Sequence, residues 1–214
     1  KYLQRTHKEP ASQVAAGTWL ARTYMAMENM PKANSALLKA VGERDASDEW
    51  RAQAFLVQAQ FNLTQSNIEE AMRSLERAIP MIKPKRDRAR PLFVLAQLKR
   101  EYGSNREAIE LFDDIVKLKT PYEMEFQARM QQALAFDRRR GDSEEIKELF
   151  FDMLEDDKNE EYRDQIFYAL AQIELEELNR EEGMDFLREA LSENSGNRRP
   201  RMKSFLGLAD LHLE

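Results

Sequence analysis

The chain has 214 residues, a formal net charge of −6, 42% hydrophobic and 34% charged residues, 7 Gly, 7 Pro and no Cys. A composition led by Ala, Glu, Lys, Leu and Arg belongs to long or paired helices rather than to a β-sandwich. The acidic balance argues against nucleic acid as the main partner, because phosphate binding needs concentrated positive charge, and the lack of Cys removes disulfide and thiolate chemistry.

Taken in order, Lys1 to Lys8 reads as the end of a helix from a preceding unit, and Pro10 and Ser12 open the next one. A chain that starts at Lys1 rather than Met reads as a piece of a longer polypeptide. Helices are expected over 11–28, 31–43, 47–64, 68–82, 88–102, 105–118, 121–140, 143–156, 160–178, 181–192 and 199–213. No segment alternates with a period of two, so no strand is expected. No apolar run approaches the ~20 residues of a membrane span.

The clearest unit is Leu95–Ile115. Its first helix carries Leu95, Ala96, Leu98 and Tyr102, and its second carries Ala108, Phe112 and Ile115. Gly103 suits the left-handed end of a helix, and Ser104-x-x-Glu107 reads as a capping box. Asn67-x-x-Glu70, Asp142-x-x-Glu145 and Asn179-x-x-Glu182 have the same form, and Pro31 suits a first helical turn.

Two markers set a repeat register. First helices carry Ala21, Ala59, Ala96, Leu134, Ala171 and Ala209, separated by 38, 37, 38, 37 and 38 residues. Second helices carry Ala33, Ala71, Ala108, Ile146 and Gly183, each 12 residues after its partner. After each second marker come a large and then an apolar residue: Leu37/Ala40, Leu75/Ala78, Phe112/Ile115, Phe150/Met153 and Leu187/Ala190. The small residue admits the neighbouring helix and the large one fills the groove beside it. The expected fold is therefore all-α, an α-solenoid of about five antiparallel helix pairs plus one further helix, as one domain over 1–214.

Leu20-Ala21-x-x-Tyr24, Leu95-Ala96, Leu206-Gly207 and Ala108-x3-Phe112 resemble the tetratricopeptide repeat, whose period is 34 residues. Here the period is 37–38, with the extra residues in the connections between units. Phe61, Phe136 and Ile173 sit one place early relative to the family's aromatic position. A narrower resemblance rests on three segments: Thr120–Arg129 (TPYEMEFQAR), Asp156–Ala171 (DDKNEEYRDQIFYALA) and Lys203–Leu211 (KSFLGLADL). These are similar to the repeat region of the PorW/SprE-type lipoproteins of Bacteroidota. That resemblance implies a periplasmic segment of type IX secretion and gliding machinery, anchored to the outer membrane through a lipidated N-terminal Cys on the parent chain. Other components of that machinery would be its protein partners.

The residues offer little for catalysis. His7 and His212 stand far apart in the register and read as surface residues. No Cys/His cluster suits zinc. The acids Glu155, Asp156, Asp157, Glu160 and Glu161 lack the spaced oxygens and central Gly of a calcium loop. Gly141-Asp142-Ser143 reads as a turn rather than a phosphate loop. No enzyme activity, cofactor or metal is expected. Basic residues gather at Lys83, Lys85, Arg86, Arg88 and Arg90, at Arg138–Arg140, and at Arg198, Arg199, Arg201 and Lys203. They read as solvated surface or a protein-docking edge, with an anionic polymer as the alternative.

Stacked pairs curve with first helices on the concave side. Six before, three before and one after each marker, the register places a groove row: Gln53, Leu56 and Gln60; Arg90, Phe93 and Gln97; Gln131; and Gln165, Tyr168 and Gln172. Amides can meet a peptide backbone with donor and acceptor together, and Arg can fork onto carboxylates. The alternative is that Phe93 and Tyr168 pack between repeats. The Lys/Asn carboxylate clamp of chaperone-binding tetratricopeptide domains is missing from these rows, so a C-terminal Glu-Glu-Val-Asp peptide is not expected.

The function expected from the residues is a non-catalytic protein-binding scaffold. Against the secretion segment stands a generic cytoplasmic tetratricopeptide adaptor or chaperone-like peptide-binding module. End-to-end self-association through Phe205, Leu206, Leu208, Leu211 and Leu213 is a third expectation.

Overall fold

The computed structural model describes residues 9–135, 143–193, 202 and 204–209. His7, His212, Phe136, Arg138–Arg140, Gly141, Asp142, Arg198, Arg199, Arg201, Lys203, Leu211 and Leu213 lie outside the described residues. Ten α-helices are bounded as α1 Pro10–Ala26, α2 Met30–Gly42, α3 Asp48–Thr64, α4 Ile68–Ala78, α5 Ala89–Glu101, α6 Asn105–Val116, α7 Tyr122–Leu134, α8 Glu144–Glu155, α9 Arg163–Glu176 and α10 Arg180–Ser192. Residues 204–209 are also helical, and no strand occurs among the described residues. Three expected boundaries move by three residues or more; one is the end of the helix expected over 121–140, which stops at Leu134. The helix expected over 68–82 stops at Ala78 and tightens into a 3-10 turn, Ile79–Met81, around Pro80, which has no N–H to continue the α-ladder. The helix expected from 160 starts at Arg163, after the 3-10 segment Asp157–Tyr162.

The four inner turns that lie wholly within the described residues share one four-residue device. Glu28, Ser66, Gly103 and Leu178 all have positive φ, at 56°, 56°, 87° and 67°. The next residue then donates its N–H back to the preceding helix: Asn29 to Tyr24 O (2.8 Å), Asn67 to Asn62 O (2.8 Å), Ser104 to Lys99 O (2.8 Å) and Asn179 to Glu174 O (2.9 Å). This bond satisfies a carbonyl that the helix end leaves orphaned. It also explains why the expected capping boxes at Asn67, Ser104 and Asn179 do not form. A capping box needs the N-cap N–H free to meet the Glu side chain, and here that N–H is already committed. The acids turn to cations instead: Glu107 to Lys99 at 2.8 Å and Glu70 to Arg73 at 2.9 Å. Of the four turn residues Asn29, Asn67, Ser104 and Asn179, Asn29 alone also caps through its side chain, accepting from Lys32 N at 3.3 Å.

The chain divides into two compact units, residues 1–125 and 126–214. In the first, α1–α2, α3–α4 and α5–α6 pack as antiparallel pairs. Ala21, Ala36, Leu37 and Val57 form one cluster of the core, Val14, Ala40, Ala46 and Ala54 another, and Ala59, Leu75, Leu95 and Leu98 a third. The large second-helix residues Leu37, Leu75 and Phe112 are buried, as the small-then-large pattern requires. In the second unit, Phe126, Met130, Ala133, Phe150, Met153, Ile166, Ala169, Leu170 and Ile173 form one core, with Phe126 stacked on Tyr162 at 4.4 Å.

One register marker is corrected. Leu134 is 38% exposed, while Ala133 is 4% exposed. Ala133 therefore occupies the place that Ala21, Ala59, Ala96 and Ala171 hold in their own helices, all of them buried. A large Leu cannot take a position where two helices approach within an Ala side chain, so the helix phase shifts by one residue. Ala133 to Ile146 is then one residue longer than the other first-to-second offsets. Ile146 itself is half-buried, but Phe150 and Met153 after it keep their buried places.

Candidate functional site

In the first unit the expected row falls on α3 and α5. Gln53, Gln60, Arg90 and Gln97 are exposed, and Leu56 and Phe93 are half-buried beneath them. This is what amphipathic helices give when one polar edge lies beside the apolar stripe. Leu56 packs on the cluster of Ala59, Leu75, Leu95 and Leu98. Phe93 turns its ring edge-on to buried Phe112, with centroids 5.4 Å apart. Phe93 is thus part packing residue and part surface, and the row is a polar edge over an aliphatic and aromatic floor.

In the second unit the corrected marker changes the row. Counted from Ala133, its members on α7 are Gln127, Met130 and Leu134, so Gln131 sits one residue off it. Gln127 was missed, although it lies one repeat before Gln165. The structure brings these two together: Gln127 Nε2 donates to Gln165 Oε1 at 3.3 Å. Gln165, Tyr168 and Gln172 on α9 and Gln131 on α7 are all half-buried. Burial pushes the Tyr168 hydroxyl above its ordinary pKa of 10.0. This part of the row is more enclosed than the α3 and α5 part, and one of its amides is spent on a neighbour.

Other polar groups are structural. Lys147 of α8, 8% exposed, reaches Glu174 and Glu177 at the end of α9. Asn159 is buried and donates from Nδ2 to Met153 O at 2.8 Å, while Arg163 Nη1 donates to Leu154 O at 2.7 Å. Together they satisfy two orphaned carbonyls at the end of α8. Asn159, Tyr162 and Arg163 belong to the second of the three segments that carry the narrower resemblance, and in this fold each has a packing or capping task. In the basic connection, Arg88 donates to Ile82 O and Pro80 O at 2.9 and 3.0 Å. It fixes the loop, leaving Lys83, Lys85, Arg86 and Arg90 exposed. Among the described residues no cluster of His, Cys, Asp and Glu could hold a metal ion, and no helix is long and apolar enough to cross a membrane.

No family model matches the chain, and no curated protein matches it in sequence. Solved structures do match in shape. YrrB, described as a TPR protein with an unusual peptide-binding site, aligns with TM-score 0.65 at 15% identity over 95% of each chain. MamA aligns with TM-score 0.64 at 12% identity over 85% of this chain and 91% of its own. A putative kinesin light chain from Podosopora anserina, with nearly identical TPR-like repeats, aligns with TM-score 0.64 at 17% identity over 90% of this chain and 100% of its own. With the small-then-large pairs and the repeated left-handed turns, these likenesses establish the fold: the chain is all-α, of the tetratricopeptide-like solenoid class.

Proposed function

We propose that the chain is a non-catalytic scaffold that docks protein partners along the polar edge of its first helices. The observation that carries this reading is the row on α3 and α5: exposed Gln53, Gln60, Arg90 and Gln97 above half-buried Leu56 and Phe93. Amides and a guanidinium over an apolar floor can meet an extended backbone, its carboxylates and its side chains at once. YrrB, a protein of the same fold, is described as having an unusual peptide-binding site, which is consistent with a peptide or partner segment as ligand.

The finer reading is a periplasmic repeat segment of a PorW/SprE-type lipoprotein that links components of the type IX secretion machinery. It is supported by the segments Thr120–Arg129, Asp156–Ala171 and Lys203–Leu211. Affinity purification of the parent protein from its native host tests both levels. Recovery of type IX components, together with a lipoprotein signal ending in Cys on the parent chain, supports the secretion role. A cytosolic start and recovery of cytosolic proteins replace it with a cytoplasmic adaptor. Recovery of no protein partner removes the scaffold reading itself.

A further inference from the structure

The connection from α4 to α5, residues 79–88, concentrates positive charge in an acidic chain. Lys83, Lys85, Arg86 and Arg88 stand there against Asp87 alone, and Arg90 follows in the first turn of α5. The repeat does not require this. The connection from α2 to α3 carries Glu43, Arg44 and Asp45, and that from α8 to α9 carries Asp156, Asp157, Glu160 and Glu161 against Lys158. Folding does not require it either, because cations ahead of a helix and in its first turn oppose its dipole, and α5 has no acid there to offset them. Arg88 is engaged with Ile82 O and Pro80 O, and Arg86 lies 3.6 Å from Asp87. Lys83, Lys85 and Arg90 are exposed and make no ion pair among the described residues. The Arg88 bonds, with Asp87 N donating to Pro84 O at 3.1 Å, hold these cations on a fixed frame.

We propose that this connection, with Arg90, is a docking edge for an internal acidic segment of a partner protein. The inference rests on the reading of the chain as a docking scaffold and names the chemistry of what docks. Arg90 belongs both to the basic patch and to the polar row, and Gln97 lies two turns further along the same face of α5. A segment lying on the row therefore runs on to the patch, where its carboxylates meet ammonium and guanidinium groups already in place. The amides favour a peptide over a nucleic acid or a lipid surface. The carbonyl oxygen of Gln97 needs a donor, which a peptide N–H supplies and a phosphate group does not. A nucleic-acid track would also interleave exposed aromatics with the cations, whereas the aromatic beside Arg90 is Phe93, half-buried with its ring against Phe112. With a net charge of −6 the chain as a whole repels a long polyanion, while a short acidic segment senses the local patch.

The test uses the whole chain and an oligo-glutamate peptide blocked at both ends, read by fluorescence anisotropy at physiological salt, where charges are screened beyond about 8 Å. Binding should saturate, and should weaken roughly tenfold in Lys83→Gln/Lys85→Gln/Arg86→Gln. The charge-matched control Lys39→Gln/Arg106→Gln/Lys158→Gln should bind as the wild type does. All of these side chains are exposed, so both variants should keep the wild-type urea midpoint. Acetylation footprinting of the unsubstituted chain gives a second reading, in which the peptide protects Lys83 and Lys85 but not Lys39. Absence of saturable binding, equal loss in both triple variants, or Lys83 and Lys85 left unprotected overturns the proposal. Tighter binding of single-stranded DNA or of phosphatidylserine vesicles than of the peptide, lost in the Lys83/Lys85/Arg86 variant, assigns the patch to another ligand and also overturns it. The polar-row reading fails separately, when Arg90→Ala with Gln97→Ala leaves partner capture unchanged.

Discussion

Lys147 Nζ lies 2.8 Å from Glu174 Oε1, with the two side chains 10% and 9% exposed. The same ammonium reaches Glu177 Oε2 at 2.7 Å and Glu144 Oε1 at 3.3 Å. Asn179 Nδ2 donates to the other oxygen of Glu174 at 2.7 Å, and the Ser143 hydroxyl donates to the other oxygen of Glu177. All four carboxylate oxygens of Glu174 and Glu177 therefore have donors. This is the condition under which a poorly hydrated charge cluster holds together.

Removing the cation should be costly. Lys147→Met keeps most of the apolar stem but leaves Glu174 buried without its counter-charge, and is expected to lose about 3 kcal/mol. Lys147→Met with Glu174→Gln should recover part of that loss, read as the shift in urea midpoint. The pH dependence has a definite sign. Burial opposes the charge on Lys147, but hydrogen bonds to Glu174, Glu177 and Glu144 outweigh it, so the ammonium titrates above the ordinary lysine value of 10.5. The site's contribution is complete below 10.5, starts to fall above it as the unfolded chain loses its proton first, and is lost as pH rises through the folded value. The stability of the wild type should therefore fall more steeply above that pH than the stability of Lys147→Met. Parallel curves would mean that the cluster carries no net stability.

The repeated left-handed turn makes a second prediction. Leu178 holds φ 67° and is 75% exposed. A branched L-residue there costs roughly 1–2 kcal/mol, while Gly adds about 0.5–1 kcal/mol of unfolded-state entropy. Leu178→Gly is thus expected to stabilise by about 0.5–1 kcal/mol, or roughly 2 °C in thermal midpoint. Gly103→Ala should lose about 1 kcal/mol. Because nothing lies within 4 Å of the Cβ it adds, that loss is backbone strain alone. Calorimetry that shows Leu178→Gly destabilising would indicate that Leu178 packs in a way its exposure does not reveal.

Much of this was legible in the sequence because it depends on residue size and backbone freedom. The small-then-large spacing of Ala33/Leu37, Ala71/Leu75 and Ala108/Phe112 placed the buried face of each second helix, and Gly103 announced a turn that its counterparts Glu28, Ser66 and Leu178 share without Gly. What was not legible depends on competition for partners. Ser104-x-x-Glu107 has the letters of a capping box, but the Ser104 N–H goes to Lys99 O and Glu107 goes to the Lys99 ammonium. At α7 the letters Ala133-Leu134-Ala135 allow two phases, and only burial chooses between them. That choice moved Gln131 off the row and put Gln127 on it.

The polar row predicts a separation between binding and folding. Arg90→Ala with Gln97→Ala removes two exposed groups and should leave stability within ~0.5 kcal/mol while weakening capture of the partner several-fold in pull-down. Phe93→Ala is a poorer probe, because the Phe93 ring meets Phe112 edge-on. It should lose roughly 1–3 kcal/mol of stability along with any binding. Unchanged capture by the Arg90/Gln97 double variant would move the docking surface away from α3 and α5.

Gly183 supplies the sharpest conflict between repeat logic and geometry. The equivalent residues are Ala33, Ala71 and Ala108, and Ala within a helix is about 1 kcal/mol better than Gly. The pattern alone would thus nominate Gly183→Ala as stabilising. At this position, however, a Cβ would sit 2.7 Å from both Cγ and Cδ2 of Leu175, and 3.5 Å from the carbonyl oxygen of Ala171. Cγ is too close to its own backbone to swing clear by a terminal rotation, so α9 and α10 would have to part. Overpacking of this kind costs about 1–3 kcal/mol, which exceeds the propensity gain. Gly183→Ala should therefore destabilise. Leu175→Ala should also destabilise by itself, since Leu175 is half-buried. The double variant should lose less than the sum of the two, because removing the Leu175 side chain makes the space that the new methyl needs. Urea unfolding of the four proteins gives the coupling directly. Additive losses would show that Gly183 is not there for the close approach of α9, and a stabilised Gly183→Ala would show that the two helices separate at little cost.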